Sequence, residues 1–412
     1  MPHVARNTGL LPFALLLLIF ASLADLALYL LLLVVDRVAL REEAKYHNIA
    51  RALFGRPVEI AAAVVVILQQ LGACTSYVVI MADVLTPMLG IASDPDALLC
   101  KRVFLQLVVV GAIVFPLCML RKMDHLKFTS TLALIFMLAF AAYLLFTGAY
   151  FAAHSDERED FVMAEGEYAG GSAAHKDRGC GASHDHVDAP GSTVHLFRPL
   201  NEDFLSGLPI LAFSYLFHQN AFPVYSELKD RSVRRMSIVG HWSLLICSLV
   251  YGMAGMMGYV TFLNSVDANV LVNFATHGHV FYIIADVLRV GFGFAIIFSY
   301  PVVVWEARAG IDELLFPGKA YSIVRYFLLN LVIIGLTTGI AIRFPSIDVV
   351  LGYVGSTCSP TMVYVLPAVF YLRAFPEEGW TRTRISAVAL LVLAIVLIPL
   401  ALVMTALSHH KD

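Results

Sequence analysis

Polar and helix-breaking residues cluster in one apolar stretch of the sequence, FLSGLPILAFSYLFHQNAFPVYSEL at 204–228. Unpaired polar groups are costly in hydrocarbon, so such a cluster marks either a helix contact or a pathway through a membrane. Pro209 and Pro223 predict an interrupted helix, whose free backbone carbonyls and amides can coordinate a cation or a carboxylate. The alternative is a proline-kinked helix packed by its small residues. The polar members are Ser214, Tyr215, His218, Gln219 and Asn220.

A second polar face is predicted in ILQQLGACTSYVVIMADVL, where Gln70, Ser76 and Tyr77 fall mostly on one side of a helix. We expect that face to look inward, away from lipid. Tyr77 then either caps a substrate carboxylate or makes a hydrogen bond between helices.

Ser299 is a third candidate, two residues before Pro301 in DVLRVGFGFAIIFSYPVVVWEAR. A hydroxyl beside a proline can join freed carbonyls in a small-cation site, or it can bond back to its own helix. In the same segment Asp286 and Arg289 are three residues apart and are expected to pair.

A membrane is needed to position these side chains. Of 412 residues, 59% are hydrophobic and 14% are charged. A chain of this composition has more apolar surface than the core of one soluble domain can bury. Apolar blocks near the length of about 20 residues that crosses the hydrocarbon recur ten times. They lie at about 11–35, 58–89, 103–120, 128–152, 204–223, 237–263, 280–305, 326–343, 347–372 and 385–407. The predicted fold class is therefore all-α, a polytopic, integral membrane protein with one domain over 1–412.

The positions of the Lys and Arg residues predict the orientation of these spans. Eighteen of the 28 Lys and Arg residues fall in five alternate loops, which the positive-inside rule makes cytoplasmic. The N-terminus, the loop at 153–203 and the C-terminal tail then lie on the opposite side. That loop holds eleven acidic residues and is interpreted as a solvated external loop.

The lack of several known motifs in the sequence argues against other classes of protein. No Walker A or H-E-x-x-H sequence occurs, and no paired carboxylates or histidine cluster mark an intramembrane enzyme, so we predict no enzymatic activity. His184 and His186 lie near Cys180, but without the ligand spacing of a known zinc site, so no metal is predicted. A disulfide between Cys100 and Cys180 stays open. The expected surroundings are a lipid bilayer, with no nucleic-acid partner.

Several strings together resemble the amino acid/auxin permease family, especially its sodium-coupled neutral amino-acid transporter branch. They are FGRPVEIAAAVVVILQQLGACTSYVVIMADVL, FHQNAFPVYSELKDRSVRRM, SYPVVVWEAR and GSTCSPTMVYVLPAVFYL, in this order along almost the whole chain. The resemblance implies secondary active amino-acid transport by alternating access. It also implies a LeuT-like fold of two inverted five-helix repeats, with substrate near the midplane between broken first and sixth helices.

The resemblance also implies roles for individual residues. Substrate contacts are expected from Tyr77, Ser214, His218 and Asn220, and a coupling-cation contact is expected from Ser299. The coupling ion would be Na⁺ or H⁺, with no other cofactor. Independently of the resemblance, a pKa of His218 near neutrality would give transport a sensitivity to pH. The expected location is the plasma membrane or a vacuolar or lysosomal membrane.

The family pattern has eleven spans, one more than the sequence predicts. The opening MPHVARNTGLLPF resembles the end of the family's first helix, so we expect Met1 to lie within that helix, with most of it absent. A truncated, inactive homologue or a non-transporting amino-acid sensor is the alternative to a transporter.

Overall fold

A computed structural model describes residues 1–40, 44–88, 95–120, 126–154, 193–199, 201–274 and 280–408. These residues form helices joined by short connections, and no strand occurs among them. The helices are α1 (Pro2–Thr8), α2 (Leu10–Val38), α3 (Tyr46–Phe54), α4 (Arg56–Met88), α5 (Pro95–Val109), α6 (Phe115–Cys118), α7 (Leu126–Ala153), α8 (Glu202–Ser214), α9 (His218–Glu227), α10 (Val233–Phe262), α11 (Val280–Leu315), α12 (Ile323–Arg343), α13 (Ile347–Pro360), α14 (Leu366–Ala374) and α15 (Arg382–Ser408). One π-helical turn, Val110–Val114, joins α5 to α6, and another, Thr361–Val365, joins α13 to α14.

Eight helical stretches of the described chain are long and apolar enough to cross a membrane, which confirms a polytopic all-α protein. Each coincides with one of the ten predicted apolar blocks. The other two blocks have different forms: 103–120 is a shorter apolar helix, Arg102–Cys118, and 204–223 is divided between α8 and α9.

The helices pack in two groups. In the first, α1 packs against α2, α8 and α10, and α2 also packs against α8 and α10. In the second, α4 packs against α5, α11 and α12, and α11 packs against α6 and α12. Helix α13 contacts α8 of the first group and α4 of the second, so it lies between them. The inverted-repeat relationship of a LeuT-like fold stays a prediction.

Small residues allow the closest helix approaches. A Cβ atom added to Gly355 of α13 would lie 2.2 Å from the carbonyl oxygen of Pro209 in α8, so the two backbones touch there. In α11, Gly291 and Gly293 also allow close approach, because added Cβ atoms would strike Phe136 of α7 and Val84 of α4. The expected pair of Asp286 and Arg289 also forms, with 3.1 Å between Oδ1 and Nη1.

One predicted boundary is wrong. The apolar block at 280–305 was expected to end before a cytoplasmic loop that contains Glu306, whereas α11 continues to Leu315. The helix tolerates these charged residues because other helices supply their partners. Arg325 Nε, for example, lies 2.6 Å from Oδ1 of Asp312.

Some sequence predictions lie outside the described residues. They are the external loop over most of 153–203, the histidines at 184 and 186, and the Cys180 end of the disulfide considered with Cys100. Four cysteines of the described helices are free thiols: Cys74 and Cys118 are buried, Cys358 is partly buried and Cys247 is exposed.

Candidate functional site

The interruption predicted within 204–228 is present. Helix α8 ends at Ser214 and α9 begins at His218, and the three residues between them leave the helical path. The carbonyl of Phe217 accepts from the amides of Asn220 and Ala221, at 3.0 and 3.2 Å, to start α9. Pro223 has no N–H to offer the carbonyl of Gln219. Helix ends on both sides therefore leave backbone groups that a bound ion or carboxylate can use.

His218 is fully buried at the start of α9 and faces α2. Its Nε2 lies 2.9 Å from the carbonyl oxygen of Ala24. A carbonyl only accepts hydrogen bonds, so Nε2 is the donor and a neutral ring presents Nδ1 as an acceptor. Nδ1 is buried and has no hydrogen-bond partner among the described residues. The break thus contains one side-chain acceptor that no neighbour satisfies.

A carboxylate joins the break to the second helix group. Glu306 of α11 accepts a hydrogen bond on Oε2 from Nε2 of Gln219, at 3.1 Å, and another on the same oxygen from Nε2 of Gln70 in α4. Gln70 is buried and Glu306 is partly buried. Three helices, α4, α9 and α11, are therefore linked through a single side chain within the apolar part of the molecule.

The predicted site residues are spread around this region. No hydrogen bond joins any two of Tyr77, Ser214, His218, Asn220 and Ser299 in the described chain. Ser214 donates to the carbonyl of Ile210 over 2.6 Å in its own helix. Asn220 is exposed, and its side chain makes no hydrogen bond to a described residue.

Tyr77 and Ser299 lie in the second helix group. Tyr77 is partly buried on α4 and packs against the apolar cluster that contains Cys74 and Tyr300. Ser299 is partly buried on α11, and its hydroxyl bonds to no described residue, so the back-bonded alternative is not seen. The structure places Ser299 next to Tyr300, whose hydroxyl pairs with Thr337 of α12 at 2.9 Å.

Comparison with known proteins now decides the family. The family model for transmembrane amino acid transporter protein matches residues 1–409. The chain belongs to the transmembrane amino acid transporter family. It is similar to sodium-coupled neutral amino acid transporter 4 of Pongo abelii, 25% identical over an alignment of 431 positions, gaps included, that covers 96% of this chain and 78% of the relative. The same transporter of Homo sapiens is 25% identical over 434 residues, covering 95% and 78%.

Membership of the transporter family agrees with the family resemblance of the sequence and with the absence of a predicted enzymatic activity. Glu306 was not predicted as a site residue, because hydropathy placed it in a loop after the apolar block at 280–305. The sequence does contain a signal for Glu306 if the helix is extended beyond Pro301. Glu306 lies seven residues, or about two turns, after Ser299 and so on the same side of α11. Gln70 and Gln219 were recognised as polar residues within spans, but nothing in the sequence indicated a common partner.

Proposed function

We propose that this protein moves amino acids across a membrane by secondary active, alternating-access transport. The observation that carries the proposal is the interruption between Ser214 and His218, in a chain that belongs to an amino acid transporter family. The first turn of α9 offers backbone N–H groups and the positive end of a helix dipole to a substrate carboxylate. The buried Nδ1 of His218 and the exposed amide of Asn220 lie beside it.

The two helix groups supply the rest of the mechanism. Substrate would bind between α8 and α9 of the interrupted helix and the faces of α4 and α11 that carry Tyr77 and Ser299. Alternating access then requires the first group to move against the second around that site. Both relatives are named as sodium-coupled, which supports a coupled cation, and the open hydroxyl of Ser299 is a candidate contact for Na⁺.

Uptake of radiolabelled amino acids into proteoliposomes tests the proposal. We expect uptake of at least one amino acid against its gradient when Na⁺ or a proton gradient is imposed. We also expect Ser299→Ala to raise the Na⁺ concentration needed for half-maximal uptake if Na⁺ is the driving ion. Amino-acid binding with neither uptake nor exchange of substrate across the membrane would instead indicate a sensor and overturn the transport proposal.

A further inference from the structure

The carboxylate of Glu306 carries an inference about energy coupling. It lies in α11 of the second helix group and accepts two amide hydrogen bonds on one oxygen, Oε2, one from α4 and one from α9. An ionisable side chain inside a membrane span is costly to keep, so it calls for a specific role. The substrate and cation contacts proposed for Tyr77, His218, Asn220 and Ser299 do not involve it.

The groups around Glu306 include no charged partner in the described chain. On α4 the titratable neighbours are Cys74 and Tyr77. His218, beside Gln219 on α9, is directed to Ala24 of α2.

The remaining elements packed on α11 also leave Glu306 without a cation among the described residues. Arg308, two residues further along the same helix, points to α12. It donates to Asn330 Oδ1 over 3.3 Å and lies 3.8 Å from the ring centre of Tyr326. Cys118 of α6 lies near Arg308. No titratable group of α7 or of the 3₁₀ turn Val272–Phe274 forms an ion pair or hydrogen bond with Glu306 in the described chain.

The donors identify which cation fits. Both glutamines direct N–H groups at Glu306, and an N–H group repels a metal cation, so the cluster lacks the set of oxygen ligands that Na⁺ requires. The second carboxylate oxygen, Oε1, accepts no hydrogen bond from a described residue. A proton needs only that one oxygen. It can bind to Oε1 without breaking either amide contact to Oε2.

We propose that Glu306 is the proton-binding group of this transporter, and that its ionised form ties α9 to α4 and α11. The inference rests on the proposed transport function. A hydronium ion on one side of the membrane would transfer a proton to Oε1, so that one O–H bond breaks as the carboxyl O–H bond forms. The neutral carboxyl would then give that proton to water on the other side and return to the carboxylate. Hydrogen bonds to an ionised acceptor are roughly twice as strong as neutral ones. Protonation therefore weakens both the link from Gln219 of α9 and the link from Gln70 of α4. Proton binding would thereby favour movement of the half-helix that carries the substrate site.

The test measures proton and amino-acid movement together. The purified full chain is placed in proteoliposomes with a trapped pH-sensitive dye, and radiolabelled amino-acid uptake and dye response are recorded with choline in place of Na⁺. We expect an inward proton gradient to accelerate wild-type uptake and to acidify the interior as substrate enters. Glu306→Gln removes the titrating oxygen. We expect its substrate exchange to be independent of pH, and its substrate-dependent acidification to fall by at least about tenfold, equivalent to 1.4 kcal/mol.

Glu313→Gln is the matched control. The substitution is identical and lies on the same helix, but Glu313 pairs with Lys45 at 2.9 Å and His47 at 3.1 Å in a more exposed position. We expect its proton coupling to equal that of the wild type. Unfolding midpoints in detergent show whether each variant is folded. If Glu306→Gln does not fold, Glu306→Asp, which keeps the carboxylate, replaces it and should shift the pH dependence while Glu313→Asp does not.

The outcomes separate this inference from the function it rests on. Wild-type transport with undiminished proton movement in Glu306→Gln would overturn the role of Glu306 and leave amino-acid transport standing. If the wild type exchanges no amino acid, the transport proposal fails, and infrared titration of the carboxyl band decides the rest. A band that titrates and disappears in Glu306→Gln supports proton binding, and a pH-independent spectrum overturns it.

Discussion

The hydroxyl of Tyr225 donates a hydrogen bond of 2.8 Å to the carboxylate of Asp36, which joins the last turns of α9 and α2. Arg231, just after α9, approaches the same carboxylate at 3.9 Å and lies 4.1 Å from the ring centre of Tyr225. Helix α9, the second half of the interrupted helix, is therefore attached to α2 at both ends, through His218 at its start and Tyr225 in its last turn. Both contacts would have to adjust if α9 moves during transport.

Asp36→Asn should favour opening on the predicted cytoplasmic side. The carboxylate is 48% exposed, so solvent screening limits the loss to about 1 kcal/mol, or roughly a fivefold change in population. The readout is the alkylation rate of a cysteine introduced at Ser214, with an impermeant maleimide applied from that side. We expect a rate increase of the same size.

Asp230→Asn is the control for this measurement. It makes the same substitution in the adjacent loop, where Asp230 pairs with Arg235 on the surface at 3.0 Å. Its alkylation rate should match that of the parent protein. Equal rates in Asp36→Asn and Asp230→Asn would show that the contact between α9 and α2 does not restrain opening.

The amino-acid sequence was sufficient to predict the helices but not to predict which polar side chains of different helices bond to one another. Runs of apolar residues indicated every long span, and the prolines at 209 and 223 indicated the interrupted helix. Asp286 and Arg289 could be paired because both lie on one helix, where spacing determines distance. Glu306 could not be placed in this way. Its donors come from residues 236 and 87 positions away, and hydropathy alone assigned it to water.

Gly355→Ala should destabilise the packing of α8 on α13. The added methyl group would meet backbone atoms of Pro209, and a backbone cannot turn aside as a side chain can. Overpacking of this kind costs about 3 kcal/mol.

Gly335→Ala in α12 is the matched change, because nothing lies within 4 Å of its added Cβ. Helix propensity alone should stabilise that variant by up to about 1 kcal/mol. Unfolding midpoints in detergent should fall for the first variant and stay level or rise for the second, and a shared midpoint would contradict the close approach.

Tyr46→Phe should weaken the attachment of α3 to the π-helical turn after α13. The hydroxyl of Tyr46 donates to the carbonyl of Met362 over 3.0 Å, while its ring packs edge-on against Phe222 at 5.3 Å. Removing the hydroxyl should cost about 1 kcal/mol, whereas Tyr46→Ala should cost about 3 to 5 kcal/mol because the ring contacts are also lost. Burial raises the pKa of the Tyr46 phenol, so it stays a donor and the cost should not vary with pH near neutrality. Unfolding midpoints at several pH values check both points, and a pH-dependent difference would argue against the bond.

Asn220→Ala should impair substrate binding more than Ser214→Ala. The two residues flank the same interruption, but the hydroxyl of Ser214 is already engaged by the carbonyl of Ile210 at 2.6 Å. The amide of Asn220 is exposed and bonds to no described side chain, so it is available to a ligand. Loss of one or two hydrogen bonds to a charged substrate group corresponds to about tenfold weaker binding, and Ser214→Ala should change binding by less than about threefold.

Binding of an accepted amino acid to detergent-purified variants, measured by scintillation proximity, gives the ranking directly. The opposite ranking would place the substrate against α8 rather than at the start of α9.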